Sequence, residues 1–305
     1  MDSEEPAFFP IPKLAEARVS IVGLGLMGAS LALDLRGHCA EIIGTSRSPE
    51  TLDYARKHAI VDRVVDFEEA LHADLAILAA PVRTIMRQLR AICESAGVEP
   101  ATRTVLIDLG STKADLVAVM QHLPPRFDPV GGHPMCGKEV SGIRYAEAGL
   151  YGDKTFILTP LERTSTEAMV LVQEMVARIG SHPLVLTPER QDALVAMISH
   201  IPYLAAVSLV RATQARNDPM LWEVAASGFR DTTRVAAGDV TMFLDILLTN
   251  RTAILDTLAT FQGELDHLYR LIDAGDEAAL RTALEAPQRR RAQMFKSPSP
   301  EPPPV

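Results

Sequence analysis

The feature that most constrains the fold of this chain is a glycine-rich turn near its N-terminus. An apolar run at residues 19–22 leads directly into Gly23-Leu24-Gly25-Leu26-Met27-Gly28, and a helical pattern follows at residues 29–35. Three glycines with this spacing, placed between a strand and a helix, are typical of a dinucleotide-binding unit. A glycine-bearing turn without a ligand is the alternative, but the position between strand and helix favours a bound dinucleotide.

Each glycine of this turn has a distinct physical task. Gly23 permits the tight turn, Gly25 lets the backbone approach a pyrophosphate, and Gly28 allows the helix to pack closely on the strand. The free backbone N–H groups at the helix N-terminus, around Leu26 and Met27, are expected to bind the phosphates. We therefore place these residues in the cofactor site.

The pattern of apolar runs predicts an α/β fold followed by helices. Short apolar runs alternate with helical patterns over residues 19–159 and predict a doubly wound parallel sheet, a Rossmann domain. From residue 165 onward, helical spacing dominates at residues 165–180, 189–215 and 240–272. We expect an N-terminal extension at 1–17, the Rossmann domain at 18–162, an all-helical domain at 163–292 and a disordered proline-rich tail at 293–305.

Composition narrows the class of ligand. The chain has 305 residues, three cysteines and a formal net charge of −9. The cysteine spacing predicts neither disulfides nor a metal site, and the acidic charge argues against nucleic acid as a partner. The acidic N-terminus and the lack of an apolar run of membrane-spanning length predict a soluble, cytoplasmic protein that acts on a small molecule.

The segment after the second predicted strand bears on the choice of cofactor. An NAD-binding unit usually carries an acidic residue there, whereas this chain has Ser46 and Arg47. Both side chains can bind a 2′-phosphate, which favours NADP. If Arg47 instead stacks on adenine or points to solvent, NAD would bind about as well. Ala80 and Pro81, at the end of another predicted strand, are expected to let the cofactor pass close to the backbone.

Two further strand ends carry polar side chains. Asp108 and Ser111 follow one predicted strand and His133 follows the next, at the edge where doubly wound folds bind ligands. A mostly neutral imidazole can take a proton from a substrate hydroxyl, so His133 is the predicted base, Ser111 its partner on that hydroxyl, and Asp108 a cofactor contact. Nothing in the pattern around Cys136 predicts an activated nucleophile or a metal ligand, and a neutral buried thiol is expected.

The helical half contains two arginines suited to a carboxylate substrate. Arg230 and Arg234 lie in a polar interruption of the apolar helices, and a guanidinium binds a carboxylate through two parallel hydrogen bonds. The sequence does not choose between them. At least one is expected to pair with Asp231 and to stabilise a helix end instead.

Taken together, these segments resemble the prephenate and arogenate dehydrogenase family over residues 19–272. The resemblance is carried by the glycine turn, Ser111-Thr112-Lys113, the glycines before His133, Ser199-His200-Ile201-Pro202 and the segment ending at Arg234. It implies an NAD(P)-dependent oxidative decarboxylation of a cyclohexadienol in tyrosine biosynthesis.

The resemblance also implies roles for individual residues. His133 would be the base and Ser111 would orient it, whereas Arg234 would bind a substrate carboxylate. His200 would line the same pocket. Glu139 would form an ion pair with Arg234 that gates the pocket, and Lys138 would join the substrate-binding residues.

Departures from the family pattern shape the finer expectations. Many prephenate-using members carry a second histidine where this chain has Tyr203. Together with Ser46 and Arg47 this favours arogenate and NADP over prephenate and NAD. The resemblance further implies a homodimer formed through the helical domain, and any feedback by tyrosine would act at the active site. Two rivals stay open: another hydroxyacid dehydrogenase or imine reductase of the same plan, and a non-catalytic dinucleotide sensor.

Overall fold

The computed structural model describes residues 10–95 and 103–294. Its centre is one eight-stranded sheet with the order β3-β2-β1-β4-β5-β6-β7-β8. The strands are β1 (Arg18–Val22), β2 (Glu41–Thr45), β3 (Arg63–Val64), β4 (Leu75–Leu78), β5 (Thr104–Asp108), β6 (Phe127–Pro134), β7 (Thr155–Pro160) and β8 (His182–Val185).

The first six strands are parallel, which confirms the predicted Rossmann domain. The parallel prediction is wrong for β7, which runs antiparallel to β6 and pairs His133 with Ile157. Parallel neighbours need a crossover, usually a helix. The link at residues 135–154 carries instead a short 3₁₀ turn, Ile143–Tyr145, so the chain returns along β6 in the opposite direction.

Helices cover both faces of this sheet and continue beyond it. They are α1 (Leu26–Leu35), α2 (Pro49–Lys57), α3 (Phe67–Ala70), α4 (Val82–Glu94), α5 (Ala114–Met120), α6 (Thr166–Arg178), α7 (Pro188–Val195), α8 (Ile201–Ala215), α9 (Met220–Glu223), α10 (Ser227–Thr233), α11 (Val240–Thr249), α12 (Arg251–Ala274) and α13 (Glu277–Met294). A π-helical turn at Ala196–His200 joins α7 to α8. The helices predicted at 165–180, 189–215 and 240–272 are confirmed, the last as two helices that meet at Asn250.

Strand side chains alternate between two hydrophobic cores, as a sheet covered on both faces requires. Ile21 of β1 packs in one core with Leu31 of α1 and Val172 of α6. Its neighbour Val22 packs in the other core, which contains Leu89 of α4. Folds of this type bind their ligands at the carboxyl ends of the parallel strands.

The sheet layer extends past residue 162, where the sequence places the end of the Rossmann domain. Helix α6 packs in the same core as α1, and β8 pairs with β7, so the sheet layer continues to Val185. β8 is short and exposed, which explains why its pattern gave no strand signal. The chain has two compact units, divided between Ile254 and Leu255, and α7 to α11 belong to the same unit as the sheet.

The ends of the chain differ in part from the prediction. Within the expected N-terminal extension, Leu14 is fully buried and its backbone N–H donates to Glu174. Helix α13 ends at Met294, so the expected disordered tail at 293–305 lies almost wholly outside the described residues.

The segment 188–215 is long and apolar enough to cross a membrane by length and composition, which by itself is weak evidence. It includes the buried polar residues Gln191, Asp192 and His200. These make hydrogen bonds to His133, to the loop before α5 and to Asn250, as buried polar groups generally do.

Candidate active site

The glycine turn has the geometry of a phosphate cradle. Gly23 has a φ of +112°, and a Cβ there would lie 2.4 Å from the carbonyl oxygen of Ala79. A Cβ on Gly28 would lie 2.0 Å from the Gly23 carbonyl oxygen, so neither position admits a side chain. A Cβ on Gly25 would meet nothing within 4 Å, and Gly25 caps α1 without a side chain. The open space lies where a pyrophosphate would meet the helix N-terminus.

The loop after β2 carries two polar side chains, Ser46 and Arg47, beside this phosphate cradle. Ser46 is half-buried and its Oγ accepts a hydrogen bond from the backbone N–H of Ser48 at 3.3 Å, whereas Arg47 is exposed. Across β1, Ala80 is half-buried and Pro81 immediately precedes α4. The edge of the sheet can thus hold an extended dinucleotide, and these residues fit one.

A buried ion pair lies at the end of β5. Asp108 and Lys113 are both 0% exposed, and their side chains form a direct ion pair. The Asp108 carboxylate also accepts backbone N–H groups from Gly110 at 2.7 Å and Gly132 at 3.1 Å. The Asp108 carboxylate oxygens are thus engaged inside the protein, where they join β5 to β6, and a cofactor contact by Asp108 stays a prediction.

Burial and charge act against each other on Lys113. Burial lowers the pKa of its ammonium, and the neighbouring Asp108 carboxylate partly restores it. The sequence pattern alone predicts no separate role for Lys113. The pattern that could have indicated the ion pair is a lysine five residues after an aspartate that ends an apolar strand.

Helix α7 brings two further polar side chains to the same loop. Asp192 accepts the backbone N–H groups of Lys113 at 2.7 Å and Ala114 at 2.9 Å, so it binds the N-terminus of α5. Burial raises the pKa of Asp192, and these two donors oppose that rise. The carboxylate fixes the loop that carries Ser111.

Gln191 joins the two predicted catalytic residues. It is 0% exposed, and its Nε2 lies 3.1 Å from the Ser111 carbonyl oxygen and 3.0 Å from His133 Nδ1. Sequence reasoning missed Gln191 and Asp192. The available signal was two adjacent polar residues inside an apolar helical pattern.

Both histidines of the site are neutral. Burial lowers the pKa of His133 to about 3, helped by the charges of Lys113 and His200. Burial likewise lowers the pKa of His200 to about 4. His200 Nδ1 lies 3.3 Å from the Asn250 Nδ2, which also donates to the Asp192 carbonyl oxygen at 2.8 Å. A neutral imidazole has one unprotonated nitrogen and can accept a proton.

The two candidate arginines differ in their partners. Arg230 pairs with the adjacent Asp231 at 3.1 Å, which is the structural role expected for one of them. Arg234 instead forms an ion pair with Glu139, a residue far away in the chain. The structure thus brings together the pair that the resemblance implied and leaves Arg234 as the carboxylate-binding candidate.

The structure also shows the surroundings of Lys138, Cys136 and Tyr203. Lys138 pairs with Glu147 at 2.7 Å. Burial raises the pKa of the Cys136 thiol to about 11, so it is a neutral thiol as predicted. Tyr203 stacks on Phe243 with ring centroids 3.4 Å apart, which gives this position a packing role.

Comparisons with known proteins show the family to which this chain is similar. The family model "Prephenate dehydrogenase, nucleotide-binding domain" matches residues 31–191, and "Prephenate dehydrogenase, dimerization domain" matches residues 187–286. The junction between these models lies in α7, later than the predicted boundary. Prephenate dehydrogenase of Bacillus subtilis strain 168 is 34% identical over 265 residues, which are 85% of this chain and 71% of that protein.

Two solved structures share the fold over nearly the full chain. Prephenate dehydrogenase from Aquifex aeolicus, in complex with hydroxyphenyl propionate and NAD+, has a TM-score of 0.85 and 31% identity, with 93% of this chain and 100% of that chain covered. Synechocystis arogenate dehydrogenase has a TM-score of 0.78 and 29% identity, with 91% and 100% covered.

Proposed function

Since the chain belongs to the prephenate dehydrogenase family, we propose that it oxidises and decarboxylates a cyclohexadienol, with His133 as the base and Ser111 beside it. The observation that carries the proposal is the half-buried, neutral His133, which is hydrogen-bonded through Gln191 to the Ser111 loop at the ligand-binding edge of a dinucleotide fold. Membership of this family shows that the chain is an oxidoreductase that uses a nicotinamide dinucleotide and acts on a small molecule.

The proposed reaction requires the protein to position the substrate and to supply one proton acceptor. A bound nicotinamide dinucleotide would accept the hydride that leaves the ring carbon. His133 takes the hydroxyl proton as that carbon is oxidised and returns it to the phenol oxygen, while loss of carbon dioxide makes the ring aromatic. The net reaction releases no proton, so His133 must hold the proton briefly, a task that suits a weakly basic imidazole.

Arogenate is the proposed substrate. It carries an ammonium and a carboxylate on one side chain, and the Arg234–Glu139 ion pair offers one group of opposite charge to each. His200 completes the pocket. Prephenate, which lacks the ammonium, is the second candidate, and the named relative from Bacillus subtilis favours it. Arg234→Ala should weaken the binding of either substrate, whereas Glu139→Gln should weaken only arogenate.

NADP is the proposed cofactor because Ser46 and the exposed Arg47 follow β2. NAD is the alternative, which the Aquifex aeolicus structure with NAD+ supports. We further propose that the chain forms a homodimer, since the matched family model at 187–286 is described as a dimerization domain. A cytoplasmic location and feedback by tyrosine at the active site complete the proposal, and competitive inhibition by tyrosine would test the latter.

One experiment separates this function from its rivals. The purified protein is incubated with prephenate or arogenate and with NAD or NADP, and reduced nicotinamide is followed by absorbance. We expect turnover in at least one combination and the highest kcat/KM with arogenate and NADP. Dinucleotide binding without turnover in any combination would indicate a sensor instead.

A pair of histidine variants tests the base. His133→Asn should lower kcat by roughly 10²–10⁴-fold with little change in KM. His182→Asn, at an exposed position of β8, is the matched control and should leave kcat unchanged. Unchanged turnover in the His133 variant would remove His133 from the mechanism.

A further inference from the structure

The side-chain amide of Gln191 contacts two acceptors at once. Its Nε2 lies 3.1 Å from the Ser111 carbonyl oxygen and 3.0 Å from His133 Nδ1, and the residue is fully buried. An amide nitrogen carries two hydrogens, so it can serve both contacts. Thr187, whose side chain caps α7, holds the first turn of the helix from which Gln191 projects.

These two contacts determine where the proton of His133 lies. The Ser111 carbonyl oxygen can only accept, so the nitrogen end of the Gln191 amide must face it. The same nitrogen then donates to His133 Nδ1, which must be unprotonated. A neutral ring therefore carries its hydrogen on Nε2, and an imidazolium, protonated at both nitrogens, would lose this hydrogen bond.

We propose that Gln191 is a positioning residue that selects the tautomer of His133 and keeps the ring neutral in the free protein. The proposal rests on the function proposed above for its catalytic meaning. The geometry that supports it involves only the side chains of Gln191 and His133 and the Ser111 backbone.

The arrangement also defines what must change when substrate binds. A base that accepts the substrate proton at Nε2 needs its own hydrogen on Nδ1, and Nδ1–H requires an acceptor. The Gln191 Oε1 is buried and has no hydrogen-bond partner in the described part of the chain. Turning the amide over would bring Oε1 to Nδ1–H, at the cost of placing it near the Ser111 carbonyl oxygen. The resting and catalytic states of His133 thus differ by one amide rotation and by a change of tautomer, in which the ring loses its Nε2 proton to solvent and takes up a proton at Nδ1.

Other charged or titratable groups face the ring from the neighbouring elements. Lys113, at the start of α5, and His200, in the π-helical turn, both disfavour the imidazolium. Lys113 is itself paired with Asp108 at the end of β5, and Asp192 of α7 binds the α5 N-terminus. None of these groups is replaced in a Gln191 variant, so a change in the titration of His133 reports the loss of the amide.

The test measures the ring directly in the free protein by ¹⁵N NMR of labelled histidine, with His133→Asn used to assign the signal among the eight histidines. The wild-type protein should show the Nε2–H tautomer. Gln191→Glu offers only acceptors, so the ring should become protonated at Nδ1. Gln191→Met has similar size and no donor, so the titration midpoint of His133 should rise. Gln88→Met in α4, which replaces another buried amide oxygen without a partner in the described residues, should change neither signal.

Activity gives the second measurement. In Gln191→Glu the acid limb of the kcat pH profile should move up by about one unit or more, since a carboxylate at this distance favours the imidazolium. A wild-type ring protonated at Nδ1, or an unchanged His133 titration in both Gln191 variants, would overturn the proposal. The NMR measurement requires no turnover. A protein inactive on every cyclohexadienol would therefore refute the proposed function, whereas the inference about Gln191 would still be decided by the NMR result.

Discussion

Removing the ammonium of Lys113 tests whether the site loop depends on the buried ion pair with Asp108. Both side chains are 0% exposed, so Lys113→Met would leave the Asp108 carboxylate buried without its counter-charge. Breaking a buried pair in this way typically costs about 3–5 kcal/mol. Asp108 keeps its two backbone donors at Gly110 and Gly132, which places the expected loss of unfolding free energy near the lower end, at about 3 kcal/mol.

The measurement is urea unfolding followed by circular dichroism. The double variant Asp108→Asn with Lys113→Met removes both charges and should recover a large part of the loss, because no unpaired buried charge remains. Arg281→Met is the matched control: it breaks an exposed ion pair with Glu277 and should hardly change the unfolding free energy. A loss below about 1 kcal/mol in Lys113→Met, or a double variant no more stable than the single one, would refute the reasoning.

Three further predictions concern pH, the glycine turn and the cofactor. The pKa values of His133 and His200, about 3 and about 4, lie below that of an unfolded histidine. Their contribution to stability is therefore complete above about pH 6.5 and is lost as the pH falls toward the folded values, by at most about 2 kcal/mol per histidine between pH 6.5 and 5. Urea unfolding at both pH values measures this loss, and His200→Asn should reduce it. Gly28→Ala should weaken cofactor binding and lower the Tm, because its Cβ would collide with the Gly23 carbonyl oxygen, whereas Gly263→Ala in α12 meets nothing within 4 Å and should raise stability by about 1 kcal/mol. Arg47→Ala should weaken NADP binding by roughly tenfold in a fluorescence titration and leave NAD nearly unaffected; an equal loss for both would contradict the NADP assignment.

Local sequence patterns were enough to predict the elements that can be recognised from a few neighbouring residues. The glycine turn could be placed between β1 and α1 because only glycine tolerates the positive φ at Gly23 and the contact at Gly28. The apolar runs of β1, β2, β4 and β5 are buried on both faces and therefore visible without any partner. β8 is exposed and short, and its assignment depends on its pairing with β7, which no local pattern contains.

The same distinction separates the residues of the site. Ser111 and His133 were predicted because each follows an apolar strand, and strand ends of a doubly wound sheet meet at one edge. The choice between Arg230 and Arg234 was left open because it depends on Glu139, 95 residues from Arg234 in the chain. Asp108 was predicted to face the ligand because it ends a strand. The buried ion pair with Lys113 depends on the folded structure and could not be predicted from that position.

The sequence by itself determined the Rossmann fold, the phosphate cradle and the strand ends that carry the polar groups. Backbone conformation and burial dictate the spacing of glycine and apolar residues, and that spacing is visible among neighbours in the chain. Only the tertiary structure decided which of those groups are available to a ligand and what state they are in. Gln191 meets His133 across 58 residues, and Asp192 reaches Lys113 across 79. Hydrogen bonds and ion pairs act through distances of about 3 Å in space, and separation along the chain does not reveal them.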